Sequence, residues 1–510
     1  MNKMNEIYYK LNYWYFYDSN SSGIGDYNGI LEKINYFKKL KINNLIFDSF
    51  LENYEEITNN LFIKKHFGSF EDLQKLIKKS KKIGIKISMI FDFKKINEYS
   101  KLLKNFEIIN SSENQDFLNL TFKKTSSYYI EKVNDKINNF VFDSNEIKKI
   151  FFKIMNLYIE LGIDKIILKN IDYLSEKMQV NKKKLFIFIN NLIKNIENKK
   201  KLIFIGQFNF YFFHKNSLEI IRQIKKFSFD EYFLDFWSEF LINKKNNQDL
   251  LKKYSHKVMK YLIKKIIKFP KKVIFLFNND EYAKINSRFF FSNDIKVFFN
   301  KLMAAIFILN NHNIYILQGD EIGQENINFE YEDYLYDKKE YLRSKDINLF
   351  PNNKKESDFI TRSLLSKLNN KAIFAWNSDS SLGFNFKKIL YFATPKNYKI
   401  NNLETNLENR DSLFLWYKNL IDFKNLFSDS LPTYKNSKIS SHFLNPKILF
   451  IKIKKINKNV IFVINLSKKE TRFLFNFSNY VCKINSYNWT GIIDNFKTLK
   501  PFQFLVLEKK

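Results

Sequence analysis

Side chains able to move a proton or attack a carbon stand in this chain at the ends of strand-like segments. Asp92 closes IKISMIFDF and Asp280 follows KKVIFLFNN, whereas IDKIILK ends on Lys169 and KLIFIGQF carries Gln207 behind Gly206. A carboxyl group so placed can act as nucleophile or as acid and base; an amide cannot deliver a proton as a carboxylic acid does. Asp172 lies three residues beyond Lys169, and ENYEEI adds Tyr54 and Glu55. The single cysteine, Cys482, excludes an internal disulfide framework and suits a reducing compartment.

The elements that must position these groups alternate. In GILEKINYFKKLKINNLIF, Ile30, Ile34, Phe37 and Leu40 recur at helical spacing, and Asn44 to Phe47 then read as a buried strand. Ser69 is expected to cap the next helix with Asp72 as its capping-box partner, Leu73, Leu76 and Ile77 as its stripe and Gly84 as its C-cap; IKISMIFDF follows as a strand. A third unit puts Ile147, Ile150, Phe151, Ile154, Tyr158 and Leu161 on one helix face, then Gly162 and the strand IDKIILK. Such units over about 400 residues predict an α/β architecture, and periodicity alone allows a closed barrel or an open sheet. The polar stretch 96–143, rich in Asn and Ser, reads as an insertion after the third strand. Beyond about residue 426, ILFIKIKK, NVIFVINLS, TRFLFNF and FQFLVLE predict a small antiparallel β domain.

At 510 residues and 45% hydrophobic content the chain can fill one large domain and a smaller companion. Scarce Gly (11) and Pro (6) beside abundant Lys, Asn, Ile and Phe look like the codon bias of an AT-rich genome. A net charge of +32 attracts polyanions, yet the lysines are spread along the chain with no long basic arm, so no specific nucleic-acid role is expected. The N-terminus has no apolar stretch of signal-peptide length, and no run of about 18 apolar residues occurs, so no membrane span is expected and the protein reads as soluble and cytoplasmic.

Seven segments, in order, resemble glycoside hydrolase family 13, the α-amylase family, and within it the oligo-1,6-glucosidase, α-glucosidase and trehalose-6-phosphate hydrolase branch: YDSNSSGIGDYNGILEKINYFKKL, LGIDKIILKNIDYL, NNDEYAKINSRF, ILQGDEIGQEN, WNSDSSLGF, PKNYKINNLE and RDSLFLWYKNLI. The resemblance implies a (β/α)8 TIM barrel over 1–95 and 144–425, a short inserted domain B over 96–143 and a C-terminal antiparallel β-sandwich over 426–510.

Retaining glycoside hydrolysis needs a carboxylate nucleophile and a carboxyl acid/base about 5–5.5 Å apart. The resemblance puts Lys169 at the nucleophile, with Ile167 at the arginine before it, and Gln207 at the acid/base. The transition-state carboxylate is retained as Asp280, but Asn279 replaces its histidine and Ala283 the arginine beyond, with Lys284 adjacent. The third-strand motif lacks its histidine; Asp92 resembles a remnant of its aspartate, although an ungapped alignment puts Ile90 there. The histidines at 66, 214, 256, 312 and 442 match neither histidine motif. Tyr54 and Glu55 resemble the Tyr-Asp pair that holds the terminal sugar, and with Asn279 they are the candidate substrate-binding residues. Tyr54 reads equally well as a core tyrosine, and Gln207 as a polar residue of the barrel mouth. Asp18, Asn20, the Ile24 carbonyl and Asp26 resemble the family's Ca2+ loop with Ser22 in place of one aspartate, which implies a weakened metal site. The segment Gln318 to Gly323 is expected to be structural, packed beneath the last barrel strands.

Groups that catalyse as a unit lose most of the rate when any one is removed. The expectation is therefore an α-glucosidase-like protein of carbohydrate metabolism that is catalytically inactive. Lys169 facing Asp280 would form an ion pair opposing the oxocarbenium charge. One alternative is an active α-glucosidase acting on α-linked oligosaccharides through displaced groups such as Asp172, Asp280 or Glu55; another is a non-catalytic scaffold or partner subunit. The expected ligand is an α-gluco-oligosaccharide or disaccharide, and no cofactor beyond Ca2+ is implied.

Overall fold

Eight short runs of β-branched, aromatic and leucine residues form parallel strands: β1 (Ile7–Leu11), β2 (Asn44–Phe47), β3 (Lys86–Asp92), β4 (Lys165–Lys169), β5 (Ile203–Asn209), β6 (Glu231–Asp235), β7 (Val273–Leu276) and β8 (Ile314–Leu317). The computed structural model describes residues 5–49, 67–93, 122–124, 129–131, 144–171, 181–197, 202–209, 222, 225–235, 242–245, 248–251, 254–278, 280, 284, 289, 291–328, 366–388, 390, 392–427, 431–433, 435–442, 445–454, 459–476, 478–487 and 498–510. Each strand pairs with the next in sequence from β1 to β7, and β1 also pairs with β8. The first strand is thus internal, and the two ends of the sheet, β7 and β8, lie side by side. This is a nearly closed (β/α)8 barrel, which settles what periodicity left open.

The helices between strands follow their sequence signals. Helix α3 (Phe70–Lys82) begins at a complete capping box, Asp72 N–H donating to Ser69 Oγ at 3.2 Å and Ser69 N–H to Asp72 Oδ2 at 2.8 Å. Gly84 and Gly162, just past α3 and past α4 (Ser144–Glu160), both have φ of +81°, the left-handed conformation that glycine adopts without a Cβ penalty. The first expected helix is instead two, α1 (Tyr27–Glu32) and α2 (Ile34–Lys39), broken at Lys33, whose ψ of 11° leaves the helical region and whose ammonium lies over the Tyr17 and Trp376 rings. Helices α5 (Lys182–Glu197), α6 (His256–Lys268), α7 (Asn293–Ile308), α8 (Leu403–Glu408) and α9 (Leu413–Leu426) complete the described helices of the outer layer. No helix among the described residues is long and apolar enough to cross a membrane.

Because side chains alternate along a strand, the barrel interior can be read in layers. Its middle is apolar and sealed: Tyr8, Ile46, Ile90, Ile167, Ile205, Phe233, Ile274 and Tyr315. Two residues earlier on the same strands and their approaches stand Glu6, Asn44, Ser88, Lys165, Glu231 and Asn313, a polar floor. The Lys165 ammonium donates to Glu6 and, at 2.6 Å, to Tyr8 Oη, and Tyr8 in turn donates to Glu231. Burial alone would raise the Glu6 carboxyl, but the Lys165 and Lys86 ammoniums outweigh it and hold the group below the usual range. Two residues later come Lys10, Asp92, Lys169, Gln207 and Asp235 on five of the strands and Asp48 just past β2, at the carboxyl-terminal mouth.

The C-terminal part is an antiparallel sheet of β9 (Ser437–Ser441), β10 (Ile448–Lys454), β11 (Asn459–Asn465), β12 (Tyr480–Asn485) and β13 (Phe504–Lys509), ordered β9-β10-β11-β13-β12. One face joins the barrel core through Ile451, Phe462 and Val506, and the other is covered by Phe473 and Leu499. Among the described residues of the expected strand TRFLFNF, only Thr471–Arg472 is in a ladder, because Phe473 and Phe475 turn down onto the sheet face. Within 96–143 the described residues form one hairpin, Phe122–Lys124 with Tyr129–Glu131; the rest of that stretch lies outside the described residues.

Candidate active site

Lys169, the last residue of β4, and Asp280, four residues beyond β7, meet across the mouth, with Lys169 Nζ 3.2 Å from Asp280 Oδ1 and 3.4 Å from Oδ2. Alternation explains the first partner, since Lys169 continues the inward row Lys165, Ile167. A second ammonium joins them: Lys10 Nζ, on β1, is 3.8 Å from Asp280 Oδ2 and pairs closely with Asp48, just past β2. The Lys10 and Lys169 side chains are only 3% and 10% exposed, against 25% for Asp280. The mouth thus holds an alternating chain of charges, Asp48, Lys10, Asp280, Lys169. Below it the Tyr315 hydroxyl is pushed well above the ordinary tyrosine range by burial, and further by the charge of Asp280.

Lys10, Asp48 and the buried Asp235 were missed from sequence. Lys10 is a single charge in the run IYYKL, two residues from an inward tyrosine, which is the signal that would have found it.

Gln207 is half-buried on β5 at the same level, and Gly206 before it faces the other way, where a Cβ would come within 2.5–2.8 Å of the Phe208 and Phe229 rings. Asp92 is buried and accepts from Asn170 Nδ2 at 2.7 Å. Asn279, Ala283, Tyr54, Glu55, Asp172, His66 and His214 lie outside the described residues. Of the remaining histidines, His256 begins α6, His442 is in the C-terminal part, and His312 precedes β8 on the floor side, where burial depresses it to about 4.

The segment Gln318 to Gly323 follows β8 directly, so it packs at the mouth end of the barrel and not beneath the strands as expected. A parallel strand that ends at Leu317 can deliver its next residues only to the carboxyl side. Lys284 Nζ donates to the Gln318 carbonyl at 2.7 Å and lies 3.5 Å from Asp320 Oδ1, which also accepts from Asn278 Nδ2 at 2.8 Å. Burial pushes the Asp320 carboxyl up and Lys284 opposes it; Glu321, beside Tyr9 and Tyr36, is pushed by burial up to about 7.

The loop before α1 brings its four expected ligands together but uses their oxygens internally. Asp18 accepts from the backbone of Ser22 (3.1 Å) and Gly23 (2.7 Å) and from Asn385 Nδ2 (2.9 Å). Asp26 caps α1 by accepting from Gly29 N–H at 2.6 Å and also holds Ser19; Asn20 Oδ1 accepts from Ser22 N–H at 2.9 Å. Ser22 Oγ donates to the Ile24 carbonyl at 3.2 Å. No group of three or more His, Cys, Asp or Glu gathers among the described residues. With two carboxylates, the donor set fits a calcium ion only in part.

The alpha amylase catalytic-domain family matches residues 14–119 and 110–429. Among curated relatives, the chain is 20% identical to the oligo-1,6-glucosidase of Bacillus cereus, over 97% of each chain. Among solved structures it is similar to the trehalose-6-phosphate hydrolase of Bacillus licheniformis, with a TM-score of 0.71 and 18% identity over 99% of this chain and 98% of that one. It is also similar to the trehalulose synthase of Pseudomonas mesoacidophila MX-45, with a TM-score of 0.73 and 15% identity over 99% of each chain; a mutant of that synthase has been solved with glucose. At these identities the structures bear on the fold alone.

Proposed function

Because the chain belongs to the alpha-amylase family, glycoside hydrolase family 13, we propose that it is an α-glucosidase-like protein of carbohydrate metabolism whose barrel mouth binds an α-gluco-oligosaccharide or disaccharide without hydrolysing it. The observation that carries this reading is the Asp280 carboxylate held between the Lys169 and Lys10 ammoniums. Retaining hydrolysis builds positive charge at the anomeric carbon, and one carboxylate must steady that charge while a second attacks. Here an ammonium stands where the resemblance puts the attacking carboxylate, and Asp280 is already neutralised. A unit positive charge about 4 Å from the developing cation raises its energy by roughly 1–4 kcal/mol between water-like and surface-like screening. Gln207 adds no proton to the leaving oxygen.

Release of nitrophenol or glucose from nitrophenyl α-glucoside, maltose, isomaltose and trehalose tests it. The wild type is expected to give none above the blank, and the Lys169→Asp, Gln207→Glu double variant a measurable rate. Wild-type turnover abolished by Asp280→Asn would overturn the reading in favour of an active α-glucosidase. Calorimetry with the same sugars and trehalose 6-phosphate tests binding, and uniformly absent heats would leave the scaffold or partner-subunit reading.

Three further readings belong to the proposal. The barrel comprises 1–95 and 144–425, with 96–143 as domain B and 426–510 as the C-terminal domain. The loop of Asp18, Asn20, Ile24 and Asp26 binds Ca2+ weakly. The protein is cytoplasmic, a reading supported by its one cysteine, which is free and buried.

A further inference from the structure

The net charge of +32 is spread along the sequence, but the fold gathers part of it onto one surface. Helix α6, HKVMKYLIKKIIK, contains five lysines and no acid. Its apolar residues Met259, Leu262, Ile263, Ile266 and Ile267 are buried, so the opposite face points outward. At about 100° and 1.5 Å per residue, Lys257, Lys264 and Lys268 fall within about 40° of one another over about 16 Å of helix. All three are exposed, as is Lys271 just past the helix, and none of the four has a carboxylate partner among the described residues.

Neighbouring segments extend the patch. The loop before β6 brings exposed Lys225 and Lys226 alongside the loop before β7, because β6 and β7 are paired. Lys272 in the second loop is depressed by burial and by Lys225, with Asp230 opposing this. At the other end His256 is depressed by burial and then by Lys447, Lys257 and Lys260. Within the lysine row stands Tyr261, 45% exposed, with Lys265 Nζ 4.2 Å from its ring centroid.

We propose that this face of α6, with Lys225, Lys226 and Lys271, is a sequence-independent docking surface for single-stranded nucleic acid, the phosphates lying on the lysines and a base stacking on Tyr261. An anionic bilayer is the poorer fit: a membrane-seated helix inserts its apolar face, and that of α6 is used up inside the protein. The inference is independent of the sugar site, which lies at the barrel mouth.

Fluorescence anisotropy of the full chain with a labelled 20-mer oligo(U) tests it. A single strand touching four lysines should lose about 50-fold in affinity between about 50 and 200 mM salt. K257E/K264E/K268E should weaken binding at least about tenfold and flatten the salt slope by about 2. The same charge change on exposed α3 lysines, K75E/K78E/K82E, should stay within about twofold of wild type. Tyr261→Ala should cost about tenfold on oligo(U) and nothing on heparin, and Tyr261→Phe should restore the loss. Equal losses from the two triple variants would reduce the effect to net charge and overturn the surface. So would tight binding to phosphatidylserine vesicles without binding to oligo(U), or no binding to oligo(U) at low salt.

Discussion

Glu321 makes the stability of the barrel depend on pH in a direction opposite to that of ordinary surface-paired carboxylates. Its side chain is fully buried; Tyr9 Oη donates to Oε1 at 2.9 Å and Tyr36 Oη donates to the same oxygen, while Oε2 accepts no hydrogen bond among the described residues. Burial therefore favours the neutral acid and lifts the group from 4.5 to about 7, the Tyr36 hydrogen bond opposing and Asp320 adding to the rise. Between pH 4.5 and about 7 the folded chain holds a proton that the unfolded chain has released. Stability from this group is thus complete below 4.5 and is lost as pH rises toward 7. At about 1.36 kcal/mol per pH unit, the interval amounts to about 3 kcal/mol. Glu321→Gln keeps an acceptor for the two tyrosines and removes the titration. Its unpartnered amide carries a constant penalty of about 1–3 kcal/mol, which shifts the whole curve without tilting it. Urea unfolding of both proteins at pH 4.5, 6, 7 and 8 should show the variant gaining on wild type by about 3 kcal/mol across the series. A stability difference that stays flat from pH 4.5 to 8 would refute the assignment of a buried, raised carboxyl.

Two further outcomes are expected. Lys424 is fully buried on α9 and donates to the carbonyls of Ile308 and Asn310 at 2.9 Å each and to that of His312, so Lys424→Met strands three acceptors at the end of α7; a loss of about 3 kcal/mol should appear in urea unfolding, with the far-UV spectrum unchanged. If the loop of Asp18 and Asp26 takes up calcium weakly, millimolar Ca2+ should raise the melting temperature by only a degree or two over EGTA, and Asp18→Asn should abolish that rise.

The elements were legible because their signals are local. Ser69 with Asp72, the stripe Leu73, Leu76 and Ile77, and the left-handed Gly84 all act within one helix and need no knowledge of the rest of the chain. The opposition of Lys169 and Asp280 was legible too, but only through resemblance, since 111 residues separate them. What escaped was the company they keep. Lys10 and Asp48 meet because β1 and β2 pair with Lys10 opposite Ile46, a register that depends on which strands are neighbours. Glu321 reaches Tyr9 and Tyr36 only because β1 pairs with β8, which brings the segment after β8 beside the first strand. The position of Gln318–Gly323 was misread for the same reason: a direction along the barrel axis exists only once the strands are known to be parallel.

On the proposed reading, placing carboxylates at Lys169 and Gln207 would not be neutral for the fold. In a working site of this reaction class, like charges are held close together, and their repulsion is a standing cost to the fold. In this chain the four groups Asp48, Lys10, Asp280 and Lys169 alternate in sign, so Lys10 and Lys169 each face a carboxylate and their contacts are attractive. Lys169→Asp removes one of the two cations serving Asp280 and puts an anion in its place. Lys10, already paired with Asp48, is then the one described cation left beside Asp280. Any gain of hydrolysis in that variant is therefore tied to a loss of stability, because the Lys169–Asp280 ion pair is given up.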